Sequence, residues 1–142
     1  MNIHPYLVYN GNCEEAFKFY EAKLGGKIEN TFRIGESPMA ANTPKELHNN
    51  IMHVSMKLGS AIIMGSDACG QPWDGMKGFS LSISIDGGDV AEAERIFAIL
   101  ADGGNVKMPI AQTFWALRFG MVVDKFGAPW MINCEDPNAH HP

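Results

Sequence analysis

The chain has 142 residues, 46% of them hydrophobic and 19% charged, which excludes a disordered tail or a membrane segment and fits one folded domain. A formal net charge of −5, with 11 basic residues scattered along the chain, argues against partners bound by phosphate neutralisation, so no nucleic-acid partner is expected. Met1-Asn2-Ile3-His4-Pro5 lacks the pattern of a secretory leader, and Cys13, Cys69 and Cys134 have no CxxC spacing; the expectation is a cytoplasmic protein with reduced thiols and no membrane partner.

In chain order, Pro5 to Asn10 predicts a strand. Asn12-Cys13-Glu14-Glu15 then carries the N-cap and N3 acid of a capping box, followed by the helical stripe Ala16, Phe17, Phe19, Tyr20 and Leu24. Gly25-Gly26 ends that helix, and Lys27-Ile28-Glu29 opens a second strand. Gly35 to Asn50, polar and Pro-containing, predicts a long loop. Val54 to Met64 (VSMKLGSAIIM) predicts a hairpin around Gly59. Residues 68–77, rich in Gly and Pro, predict a linker after a first module of about 1–67.

The same order then repeats over about 78–136. Ser80 to Ile85 predicts a strand, Asp89-Val90-Ala91-Glu92 a second capping box, and Val90, Ala93, Ile96, Phe97 and Leu100 a helix face. Gly103-Gly104 ends it, Asn105-Val106-Lys107 continues as strand, and Val122 to Ile132 (VVDKFGAPWMI) matches the earlier hairpin. Residues 137–142 predict a frayed tail, with His140 and His141 able to collect adventitious metal. The expected fold class is α+β: two βαβββ modules forming curved antiparallel sheets within one domain.

This pattern resembles the vicinal oxygen chelate superfamily of glyoxalases, bleomycin-resistance proteins and extradiol dioxygenases, and within it the PhnB-like subfamily. The resemblance rests on Pro5-Tyr6-Leu7 with Asn10-Gly11-Asn12-Cys13-Glu14, on Phe19-Tyr20 with Leu24-Gly25-Gly26, on His53, and on Thr113-Phe114-Trp115 through Asp124-Lys125-Phe126-Gly127-Ala128-Pro129-Trp130-Met131-Ile132-Asn133. It implies a homodimer, paired or domain-swapped, and a ligand cavity walled by each sheet. It also implies four metal-ligand positions, which fall here on Pro5, Ile63, Ser80 and Met131. None suits a hard divalent ion, so no metal cofactor is expected. Some relatives carry a demethylubiquinone methyltransferase label, but no Gly-rich loop for S-adenosylmethionine follows the first strand.

His53 is the candidate catalytic residue. Alternation places it with Ile51, Ser55 and Lys57, opposite Met52, Val54 and Met56, where its imidazole acts as a general base, bonds a ligand, or serves structure alone. Ser80, Ser82 and Ser84 share one strand face that either borders a cavity or meets solvent. Phe114, Trp115, Phe119, Trp130 and Trp73 wall a cavity or fill a core, and Arg118 clamps a carboxylate or phosphate or forms a surface ion pair. Asp124 is expected to make a local turn bond. The residues therefore point first to a protein that binds a small molecule without the metal quartet. The alternative is a metal-dependent glyoxalase- or dioxygenase-type enzyme with non-standard ligands, such as Cys69, Glu36 or Asp67, around His53.

Overall fold

The computed structural model describes residues 1–138, so His140 and His141 lie outside the described residues. They divide into two compact units, Met1–Gly75 and a second from Met76 onward.

The first unit runs β1 (Tyr6–Tyr9), α1 (Cys13–Leu24), β2 (Lys27–Arg33), β3 (Ile51–Leu58) and β4 (Ala61–Asp67). Its sheet has the order β1-β4-β3-β2; β2, β3 and β4 pair antiparallel, but β1 pairs parallel with β4, from Tyr6 opposite Met64 to Tyr9 opposite Asp67. The sheet is thus mixed, because the strand entering the helix and the strand leaving the hairpin run the same way. The expected long loop holds three short 3-10 turns, Ile34–Glu36, Pro38–Asn42 and Lys45–Leu47. Residues 68–73 dock on this unit: the Ala68 N–H donates to the Tyr9 carbonyl, and the Trp73 indole donates to the Val8 carbonyl at 2.8 Å.

One sheet face carries the core. Leu7, Tyr9, Val54, Met56 and Ile63 are buried with Cys13, Ala16, Phe17 and Tyr20 of α1. Gly65 permits that approach, since a Cβ there would lie 2.9 Å from Cε1 of Phe17. Each large apolar side chain so buried contributes about 1.5–3 kcal/mol.

The second unit repeats the plan as β5 (Leu81–Ile85), α2 (Val90–Ala101), β6 (Asn105–Ala111), β7 (Ala116–Val123) and β8 (Pro129–Glu135), in the order β5-β8-β7-β6, with β5 parallel to β8. Ala93, Ile96, Phe97 and Leu100 are buried with Val122, Trp130 and Ile132. Gly120 faces Phe97, where a Cβ would come within 2.7 Å of the ring.

The two helix starts differ. Asp89 accepts from the Glu92 N–H as expected, whereas Asn12 makes no side-chain cap. Its place is taken by Asp67, whose Oδ1 accepts from the N–H groups of Gly11 and Cys13, both at 3.0 Å. Both helices have 12 residues, and none among the described residues is long and apolar enough to cross a membrane.

Candidate functional site

In each unit one sheet face packs on its helix and the other turns away. On the away-turned face of the first unit, register aligns Phe32 with His53 and Asn30 with Ser55, while Ser55 and Tyr6 both pair with Met64. A bulge between Ile28 and Asn30 shifts β2 by one residue, which sets Asn30 and Phe32 on this face. Tyr6, Val8 and Phe32 are exposed, while His53 is half-buried.

The Tyr6 hydroxyl lies 3.2 Å from Nδ1 of His53, and the two rings sit 5.7 Å apart. This contact determines what the imidazole offers. With the phenol donating to Nδ1, Nε2 carries the proton and presents a donor; with Nδ1–H donating to the phenol oxygen, Nε2 presents a lone pair. No carboxylate or thiol is hydrogen-bonded to His53 among the described residues. Asn30 Nδ2 reaches Ser55 Oγ at 3.4 Å, which adds a polar pair to this partly aromatic surface.

On the second unit's away-turned face, one row runs Ser82, Met131, Met121, Met108 and the next Ser84, Asn133, Phe119, Ala111. Ser80 precedes β5 and is half-buried. Trp115 meets Phe119 edge-on at 5.3 Å, and Phe114 meets Trp115 at 4.8 Å while remaining 93% exposed. The loop holding them is fixed by Thr113 Oγ1, which accepts from the N–H groups of Trp115 and Ala116.

Two ligand-binding expectations are corrected. Trp130 lies on the helix-covered face, 2% exposed, and its indole N–H donates to Asp124 Oδ2 at 2.8 Å; it is core. Arg118 is opposite Cys134, on the same covered side, and its Nε donates to Glu94 Oε1 of α2 at 2.9 Å, so it is the ion-pair arginine and not a free clamp. Arg118 to Val123 pair without interruption with Cys134 to Pro129, so Arg118, Gly120 and Val122 share the covered face with Trp130, a pairing that sequence alone did not supply.

The metal-ligand alignment is also corrected in the first unit. Ile63 is buried on the helix side, and Tyr6 and Met64 occupy the away-turned positions. A one-residue slip moves a strand's whole side-chain set to the other face. The corrected residues, with Ser80, Ser82 and Met131, still offer phenol, thioether and hydroxyl groups, which do not fit a hard divalent ion. No group of three or more His, Cys, Asp or Glu side chains is placed to hold a metal among the described residues.

The loop candidates are committed elsewhere. Asp67, 5% exposed, also accepts from the Ile51 N–H at 2.8 Å, and Glu36 accepts from the Arg33 N–H. The Cys69 thiol points at the Asp67 and Ile51 carbonyls. Burial, followed by the Asp67 charge, pushes the Cys13 and Cys69 thiols up, and burial raises Cys134, so none is a ready thiolate. Tyr6, Phe32, Met64 and Asn133 were not assigned to a site from sequence; period-2 alternation was the available signal for Tyr6, Met64 and Asn133, while the bulge in β2 hid it for Phe32.

Residues 1–133 match the family described as 3-demethylubiquinone-9 3-methyltransferase. The chain belongs to that family. Protein YjdN of Escherichia coli K12 is 37% identical over 141 residues, covering 94% of this chain and 95% of YjdN. The crystal structure of protein PA1353 from Pseudomonas aeruginosa is 46% identical, with a TM-score of 0.84 over 95% of this chain and 98% of that one. A Bacillus cereus PhnB protein, described as a putative 3-demethylubiquinone-9 3-methyltransferase, shares the fold at 21% identity and a TM-score of 0.78, covering 94% of this chain and 99% of its own. The architecture is the glyoxalase-like fold that these structures share.

Proposed function

We propose that this protein binds a small molecule on its away-turned sheet faces without the metal quartet of the vicinal oxygen chelate superfamily. The observation that carries the reading is the His53–Tyr6 pair, a ring nitrogen and a phenol held at 3.2 Å among Phe32, Ser55 and Met64. Convergent polar groups on an aromatic and thioether surface are the usual lining of a small-molecule site. Because the polar partner of His53 is a phenol, the arrangement favours recognition over proton transfer.

The family's name suggests methyl transfer. Against carrying that activity over, the β1-to-α1 turn is Asn10-Gly11-Asn12, and Asp67 already occupies the N–H groups at the helix entrance where a nucleotide-type ligand would bind. A metal enzyme built around His53 would need ligands that Cys69, Glu36 and Asp67 do not supply.

Metal analysis by mass spectrometry on untagged protein, grown with added metals and dialysed without chelator, is the first test, and substoichiometric metal is expected. One equivalent of Ni, Zn, Mn or Fe per chain, retained after deletion of His140 and His141, would overturn the reading. A thermal-shift screen follows. A ligand at about 100 times its Kd stabilises by about 2.7 kcal/mol, several degrees in Tm. That shift is expected to vanish in His53→Ala and to shrink in Tyr6→Phe.

A further inference from the structure

Asn133 Oδ1 is buried and has no hydrogen-bond partner among the described residues. Native proteins rarely leave such an acceptor unpaired, and an unpaired one in a row of candidate ligand-facing residues calls for a donor from outside. Asn133 sits on β8 opposite Ser84 of β5 and Phe119 of β7, on the away-turned face, while its neighbours Ile132 and Cys134 are buried on the helix side. Beside it runs the row Met131, Met121, Met108, three polarisable thioethers on adjacent strands. Thioether sulfur packs favourably against ring edges.

The charge pattern narrows the class. Neither row contains Lys, Arg, Asp or Glu, and the charged residue that continues the β8 alternation, Glu135 at the strand end, disfavours an anion. Ser82 and Ser84 are exposed and present hydroxyls beside the two rows.

We infer that Asn133 Oδ1 accepts a hydrogen bond from a hydroxyl or N–H on a neutral, conjugated ring lying over the methionine row. This rests on the small-molecule reading above and assigns it a ligand class and a specificity residue.

Isothermal titration of the full chain with 4-hydroxyacetophenone, 4-methoxyacetophenone and 4-hydroxybenzoate tests it. The phenol is expected to bind about tenfold more tightly than its methyl ether, the discrimination of about one hydrogen bond. The benzoate anion is expected to bind more weakly than the neutral phenol. In Asn133→Ala the phenol and ether should bind alike, while the urea midpoint stays at or above that of the native chain, a result that a merely structural asparagine would not give. Equal affinity for phenol and ether in the native chain, or a phenol preference that survives Asn133→Ala, would overturn the inference. Should none of the three rings bind while a screening hit still depends on His53, the inference fails and the His53 reading stands. If no compound shifts the native protein, both fall.

Discussion

At the residue scale, one buried aspartate organises the turns of each unit. Asp67 gathers the N–H groups of Gly11, Cys13 and Ile51, tying the helix entrance and the start of β3 to the end of β4. Asp124 accepts from Phe126 and Ala128 N–H and from the Trp130 indole. Hydrogen bonds to a charged group contribute about 1.5–3 kcal/mol each, and removing their acceptor strands buried donors. Asp67→Ala is therefore expected to lower unfolding free energy by about 3 kcal/mol or more by urea titration. Asp67→Asn, which retains one oxygen, should fall between. The local role of Asp124 was legible because an acid before a glycine turn bonds nearby N–H groups. That of Asp67 was not, because its partners lie 54 and 56 positions away along the chain. His53 could be placed by its alternation with Val54 and Met56, on the regular stretch of β3 that begins at Val54, whereas Trp130 and Arg118 required the fold.

At the element scale, α1 is fastened to β2 by Arg33, which engages both carboxylate oxygens of Glu14 and the Asn49 carbonyl. The Arg33 hydrogen bond holds the Glu14 carboxyl below its usual range, despite a smaller opposing effect of burial. A carboxylate with a lowered folded pKa contributes stability above its unfolded pKa and loses it as pH falls through the folded one. Arg33→Met should therefore destabilise at pH 7 and lose that difference progressively below about pH 4, measured by urea midpoints. Glu14 and Arg33 are each about one-third exposed, and solvent screening limits the effect to about 1 kcal/mol or less. Helix positions and ends were legible because an apolar stripe followed by a double glycine is a local signal. The missing Asn12 cap was not, since a carboxylate from another strand took over its task.

At the scale of the whole molecule, the internal duplication was the most legible feature. Helix, glycine stop, strand and hairpin recur in one order, and each is written in neighbouring residues. The parallel pairing of β1 with β4 and of β5 with β8 was not legible, because no turn connects those strands. That pairing bears on how the protein is made. During synthesis Tyr6–Tyr9 emerges first, yet its partner Met64–Asp67 follows only after the helix and both antiparallel strands, so each unit stays open until its last strand arrives. In a refolding experiment read by pulsed hydrogen exchange, the amides of β1 should gain protection after those of the β3–β4 hairpin, and a β1 protected first would contradict this order. The opening strand of each unit thus waits, unpaired, as the segment that a chaperone would meet on a nascent chain.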